Sequence, residues 1–302
     1  MTEPKLDLVC RPATADDTPE MMELTRLIWD GEDYVPLVWA AWLKDPHGQL
    51  AVAEIASGEQ AGRMVGLGKL TRLGPSDWWL EGLRTHPQFE GRGVASALYG
   101  YLVEAWLNAG HGTLRLATSS TRFAIHHLSE RSGFIRVGEF SSFQATPSEP
   151  GQQRFKALSL PEAAAALDFA RRSPSLALSG GLIDLSWQWM APDLAQVEAA
   201  ARRSMAWWWQ PEQAGDHGLL LLSEDREAQD GSTQIELLAC PVEAIRPLLD
   251  DFRRLAGALD YRRATWAAPL HPVVLPVLQA AGFQRVWDGS VYIFARLHPT
   301  RP

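Results

Sequence analysis

The first 145 residues change hydrophobic period several times, and each change predicts an element. A strand is expected over 6–12. Ala15-Asp16-Asp17-Thr18-Pro19-Glu20 reads as a helix start, acidic and with proline in its first turn. Residues 21–29 and 36–43 predict two helices broken at Gly31. Strands follow over 51–55 and 63–70, around a Ser57-Gly58-Glu59 turn, and Leu73-Gly74-Pro75-Ser76 turns into a strand over 77–85. From 94 to 108 the apolar positions fall at 94, 98, 101, 102, 105 and 106, a helical stripe stopped by Gly110-His111-Gly112. A strand over 113–117, a helix over 121–132 and, after Gly133-Phe134, a strand over 135–140 complete this half.

Residues 145–153 are rich in Pro, Ser, Glu, Gly and Gln and mark a boundary. An alanine-rich helix is expected over 161–172, and the small, polar stretch 173–181 reads as a second break. The remainder echoes the first half. It predicts a helix over 193–208, strands over 219–223 and 235–240, a helix over 242–259, a strand over 263–267, a helix over 273–281 and a strand over 286–296. Ser129-Glu130-Arg131-Ser132-Gly133-Phe134 and Leu278-Gln279-Ala280-Ala281-Gly282-Phe283 both join a helix end through Gly-Phe to a strand. The expected division is 1–148, a linker with a helix over 149–180, and a second copy over 181–302.

The most informative segment is Glu90-Gly91-Arg92-Gly93-Val94-Ala95-Ser96, which runs from the strand at 77–85 straight into the helix at 94. Such a loop turns backbone N–H groups toward one point at a helix N-terminus, where partial positive charge suits a phosphate or pyrophosphate. The Walker pattern is excluded because no Gly-Lys-Ser/Thr follows Gly91 or Gly93. The Rossmann pattern is excluded because position 96 is Ser and no acidic residue stands about 20 residues on at the end of a second parallel strand. The strand-Pro-x-x-x-Gly-x-Gly-x-Ala-helix order resembles the acyl-CoA loop of the GNAT superfamily of N-acetyltransferases. That family's core pattern is Gln/Arg-x-x-Gly-x-Gly/Ala. Both small positions match here, while Glu90 stands where the family favours Gln or Arg, so its side chain is expected in solvent. The resemblance covers roughly residues 8–145.

The resemblance implies an α/β fold of two tandem GNAT-like domains, each a mixed, mostly antiparallel twisted sheet flanked by helices. It implies direct acetyl transfer from acetyl-CoA to an amine, with no metal. The cofactor contacts carried over are backbone groups of Leu83, Arg84 and Thr85 and the loop Glu90, Gly91, Arg92, Gly93, Val94, Ala95 and Ser96, with Arg122 as a partner for a CoA phosphate. Glu81, in Glu81-Gly82-Leu83-Arg84-Thr85, resembles the glutamate that faces the acceptor amine in small-molecule acetyltransferases, as base or as ammonium binder. Ser129 stands where many relatives carry the tyrosine that reaches the leaving sulfur, and His126 or His127 are substitutes for that role. Gly82 inside a strand suits a bulge. The second copy has Pro241-Val242-Glu243-Ala244-Ile245-Arg246 where the loop would be, without glycine, and is read as degenerate.

Composition narrows the partners. With 28 Lys and Arg against 36 Asp and Glu, the net charge is −8, which disfavours nucleic acid as the main partner and mildly favours cationic small molecules. The expected acceptor is a small amine: an amino acid, a polyamine or an aminoglycoside-like compound. A non-catalytic acyl-CoA sensor and a protein N-terminal or lysine acetyltransferase are the alternatives. Cys10 and Cys240 stand far apart without metal spacing, which suggests a reducing compartment. No apolar run approaches the ~20 residues of a membrane span, and residues 1–7 lack a signal-peptide apolar region. The expectation is a cytoplasmic protein without membrane partners, monomer or homodimer. Among 13 tryptophans, Trp39 and Trp42 are the candidate wall of the acceptor cleft.

Overall fold

Two contact units, interleaved in sequence, make up the computed structural model, which describes residues 5–152, 154–210, 217–224 and 231–299. One unit holds the chain up to Leu116 with Glu130–Phe134 and the stretch from Ala295; the other holds Ala117–Ser129 with Ile135–Phe294.

In the first unit, β1 (Leu8–Pro12), β2 (Gln49–Ile55), β3 (Met64–Arg72) and β4 (Asp77–Thr85) form an antiparallel array. β5 (Thr113–Ser119) adds in parallel to β4. α1 (Thr18–Thr25) and α2 (Val35–Leu43) each start with proline near N1, where a missing N–H costs nothing. They bury Met21, Leu24, Val35 and Trp39 against Val52 and Leu67 of the sheet. α3 (Val94–Ala109) covers the other face with Val94, Leu98, Leu102 and Trp106 fully buried. Its close approach depends on Gly66 and Gly68. A Cβ at Gly66 would stand 2.6 Å from Val94 Cγ1, and one at Gly68 3.0 Å from Leu102 Cδ1. Sheet alternation therefore assigns Leu67 to the α1/α2 face and its glycine neighbours to the α3 face.

α4 (Phe123–Arg131) and β6 (Ile135–Ala145) follow. The segment read as a linker carries β7 (Phe155–Ala157), α5 (Ala163–Arg172) and α6 (Pro174–Leu178), all within the second unit. Next come β8 (Ile183–Asp184), β9 (Trp189–Met190), α7 (Leu194–Arg202), β10 (Ala206–Trp209), β11 (Gly218–Glu224), β12 (Ser232–Ala239), α8 (Ile245–Ala258), β13 (Arg263–Pro269), α9 (Val274–Ala280), β14 (Gln284–Arg285) and β15 (Val291–Leu297). β10, β11 and β12 form an antiparallel meander, β13 joins β12 in parallel, and β6 pairs antiparallel with β13. Each unit is thus a mixed, mostly antiparallel sheet with helices, the predicted α/β class.

Two expectations are corrected. The helix over 193–208 stops at Arg202, and Trp207-Trp208-Trp209 lie in β10. Three successive indoles fit a pleated surface, and Trp209 donates from Nε1 to Asp251 Oδ2 at 2.8 Å. The break at 173–181 contains α6, with Pro174 at N1.

Candidate active site

The local chemistry starts at a defect in β4. Leu67 faces Arg84 and Lys69 faces Glu81, so Gly68 alone opposes both Gly82 and Leu83. This is a β-bulge, and Gly82 takes the left-handed conformation it needs, with φ +64°. The bulge has a geometric consequence. Residues 81 and 84 would point to opposite faces of a regular strand. Pairing with Lys69 and Leu67, two residues apart, returns both to the α1/α2 face.

On that face a cluster assembles. Arg84 Nε and Nη2 donate to Asp33 Oδ2 and Oδ1 at 2.7 and 2.8 Å, with Asp33 fully buried. The guanidinium lies 4.4 Å from the Trp29 ring centroid and 5.2 Å from that of Tyr34. Tyr34 meets Trp42 edge to face at 6.1 Å. The Trp42 ring lies over Gly82, where an added Cβ would stand 2.6 Å from its Cη2. Thr71 Oγ1 donates to Glu81 Oε1 at 2.5 Å. Burial pushes the Tyr34 phenol up to about 12; Arg84 pulls it back, and Glu81 and Asp33 add to the rise. The phenol therefore stays a proton donor at neutral pH.

Gly82→Ala tests the bulge. It combines a strained φ with a clash into Trp42, and we expect about 2–4 kcal/mol of destabilisation, read as a lowered urea midpoint at unchanged m-value. A midpoint equal to wild type contradicts the packing described here.

The β4–β5 ladder covers only Asp77↔Thr113, Trp78↔Leu114 and Trp79↔Arg115. From Leu80 onward that edge of β4, including Leu83, Arg84 and Thr85, runs past the end of the ladder. A 3-10 turn at Pro87–Phe89 then delivers the chain to α3. Gly91 and Gly93 have φ +73° and +98°, and a Cβ on either would meet nothing within 4 Å. The N–H groups of Gly91, Gly93, Val94, Ala95 and Ser96 have no acceptor of ordinary geometry among the described residues. Unspent amides, open space and a helix N-terminus coincide, which fits an anionic diphosphate. The Glu90 and Ser96 side chains are exposed. Arg92 lies 5.6 Å from the Phe89 centroid, while its carbonyl accepts from Leu6 N at 3.2 Å. His86 sits beneath the turn beside Arg63, and burial followed by the Arg63 charge lowers its pKa.

Not every predicted residue joins this arrangement. Trp42 does; Trp39 is turned into the core, 3% exposed, and donates to Thr18 Oγ1 at 3.1 Å. Arg122 and Ser129 belong to the second unit. Arg122 is exposed, whereas Ser129 is fully buried and its Oγ has no hydrogen-bond partner among the described residues. His126 is a core residue of the second unit, bonded to the Ser119 carbonyl at 2.9 Å and packed on Tyr292 and Phe294; His127 is exposed. Asp33, Tyr34 and Thr71 are absent from the sequence reading. Only the proximity of Asp33-Tyr34 to the proline of α2 hints at a loop held against the sheet.

The family model of the acetyltransferase (GNAT) family matches residues 17–134. That stretch of the chain resembles a GNAT acetyltransferase domain. The match begins at Asp17 and ends at Phe134, and so includes the bulge, the loop and the Gly-Phe junction. Histidine N-acetyltransferase of Oreochromis niloticus is 31% identical over 93 residues, 30% of this chain. That alignment spans about a quarter, 26%, of the relative's length. A GCN5-related N-acetyltransferase from Sphaerobacter thermophilus superposes with TM-score 0.64 at 13% identity, covering 99% of this chain and 98% of that one. A tandem GNAT protein from the clavulanic acid biosynthesis pathway gives TM-score 0.54 at 14% identity, covering 98% of this chain and 100% of that one. Whole-chain coverage by these structures extends the GNAT fold likeness past the matched 17–134. No described helix is long and apolar enough to cross a membrane.

Proposed function

We propose that the protein is an acetyl-CoA-dependent N-acetyltransferase acting on a small-molecule amine, with its chemistry in the first unit. The observation that carries this reading is the pairing, on one strand-loop-helix unit, of the unspent amides of Gly91, Gly93, Val94, Ala95 and Ser96 with a carboxylate three residues before Arg84 at a bulge. Acetyl-CoA supplies the activated acetyl thioester. Amides of Gly91, Gly93, Val94, Ala95 and Ser96 hold its diphosphate, and the backbone edge at 83–85 holds its extended arm. Glu81 receives the acceptor ammonium and takes its proton, directly or through water, because an alkylammonium with pKa of about 10 is not a nucleophile. The Tyr34 phenol and the Thr71 hydroxyl fix the carboxylate's surroundings. The likeness to histidine N-acetyltransferases is a reason to try amino acids beside simple amines as acceptors. Release of CoA thiol, measured against a panel of amines, tests the reaction. Thiol release that depends on the amine supports transfer; bound acetyl-CoA with no amine-dependent release contradicts it and favours a sensor.

The second unit supports a single site per chain. Its β12 matches β4: the third strand of a meander, parallel to the next strand, with a register shift at Glu236 where the β12–β13 ladder ends at Ile235↔Trp266. Beyond that point its edge is taken by its own chain. Cys240 N donates to Ser175 Oγ at 2.8 Å, Ser173 Oγ donates to the Cys240 carbonyl at 2.9 Å, and Ser175 Oγ donates to the Leu238 carbonyl at 3.2 Å. The α6 segment thus lies where the first unit leaves its strand edge open, and 241–246 offer no glycine loop. Titration calorimetry is expected to give one acetyl-CoA per chain. Two equivalents would contradict this division of labour.

A further inference from the structure

The turn that delivers β4 to the glycine loop is held by a histidine whose two ring nitrogens both face donors. His86 is buried, and its backbone N–H donates to the Val65 carbonyl at 2.9 Å, just past the end of β4. Its Nδ1 accepts from the Gln88 N–H at 3.2 Å and so caps the 3-10 turn Pro87–Phe89. Arg63 Nη2 stands 3.2 Å from its Nε2. A guanidinium nitrogen and a backbone amide only donate, so each contact needs a lone pair on the ring. A neutral imidazole has one, and an imidazolium has none. The ring meets buried Phe89 edge to face at 5.4 Å. The Arg63 and Arg92 guanidinium carbons lie 5.2 and 5.6 Å from the Phe89 centroid. The turn is tied onward to the loop: Phe89 N donates to the His86 carbonyl at 2.8 Å, and Arg92 N to the Phe89 carbonyl at 3.3 Å. Gly91 and Gly93 flank that last bond.

From this pattern we infer that His86 is a positioning residue for acetyl-CoA, and that only its neutral form holds the phosphate loop in its binding shape. The inference rests on the phosphate-loop reading above and gives that site a proton-sensitive brace. Protonation leaves both ring N–H groups against donors and brings a further positive group to the Phe89 ring. The charge that faces the imidazole is Arg63, which directly precedes β3, and Arg92 approaches the same Phe89. Glu90, in the same stretch, is exposed, and among the described residues no carboxylate bonds to the ring. Burial, then the Arg63 charge, holds the imidazole below its ordinary value while the turn is intact. In a broken turn it returns to about 6.5. The broken turn therefore binds the proton more tightly, and acid favours it. The brace is complete above about pH 6.5 and is lost as the pH falls from there toward the lowered value.

Titration calorimetry of acetyl-CoA with the full-length protein, between about pH 8 and about pH 5, tests the idea. Wild type is expected to lose about tenfold more affinity across that range than His86→Asn. Asparagine offers the Gln88 N–H an oxygen and does not titrate. The comparison also cancels protonation of the phosphates of acetyl-CoA, which both proteins meet alike. Arg63→Gln removes the charge beside the ring and brings the intact and broken turns closer in proton affinity, so its acid loss is expected to fall between the other two. A structural role alone changes affinity without changing its dependence on pH. Parallel profiles in wild type and H86N overturn the inference while leaving the phosphate loop in place. A wild-type affinity that rises in acid relative to H86N makes His86 a direct cation for the diphosphate and also overturns it. Wild-type protein that binds no acetyl-CoA at any pH overturns the loop reading and this inference together. If H86N does not fold, R63Q decides: an acid loss as large as that of wild type contradicts the brace.

Discussion

Gly93→Asp is expected to abolish acetyl-CoA binding while leaving the fold in place. Gly93 caps α3 with φ +98°, a left-handed conformation that costs an ordinary residue about 1–2 kcal/mol and an aspartate less than most. A Cβ here meets nothing within 4 Å, so the substitution does not overpack the protein. The loss comes from charge. A carboxylate about 4 Å from a diphosphate, at an effective dielectric of about 20, opposes it by about 4 kcal/mol per charge pair, so affinity falls about 1,000-fold or more. The new side chain also competes for the amides of Val94, Ala95 and Ser96 as an N-cap. Gly93→Ala adds only the strain and is expected to weaken binding about tenfold. Calorimetry of the two variants separates the terms, and unchanged affinity in Gly93→Asp removes the phosphate-loop assignment.

Glu81→Gln is expected to lower kcat by about 100- to 10,000-fold while moving acetyl-CoA affinity by no more than a few fold. The substitution keeps the shape of the side chain and an oxygen for the Thr71 hydroxyl, so the bulge and the Tyr34–Trp42 packing persist. It removes the charge that draws the ammonium and accepts its proton. The division of the loss between constants assigns the role. A fall confined to kcat marks a base, and a rise in the amine KM at constant kcat marks an ammonium binder. A variant with wild-type kcat and KM displaces Glu81 from the chemistry.

How much of this was legible beforehand depended on the range of the interactions. The loop at 90–96, the helix from Val94 and the strand at 77–85 were readable because glycine, proline and hydrophobic period act locally. Asp77–Thr85 and the start of α3 agree with the expectation to the residue. The bulge was half legible: Gly82 signalled it, but only pairing with Gly68 shows that it turns Arg84 to the Glu81 face. The Asp33–Arg84 pair links residues 51 apart in sequence and left no local trace. Trp39 misled for the opposite reason. Its three-residue spacing from Trp42 suggested one shared surface, yet one indole closes the core and the other covers a strand glycine. In the second half, the alanine run of α7 carried the helical pattern too far, into the three tryptophans of β10, where aromatic packing on the sheet prevails. Only contacts reveal that Ser173 and Ser175 occupy the strand edge beside Cys240.

The central claim is that backbone amides at 91–96 hold the diphosphate of acetyl-CoA, and a crystal structure of the protein soaked with acetyl-CoA tests it directly. The account predicts diphosphate oxygens within about 2.7–3.2 Å of N–H groups in this loop, with the extended arm running along 83–85 toward Glu81. Acetyl-CoA bound elsewhere on the chain, with the loop amides hydrogen-bonded to protein side chains, would contradict it.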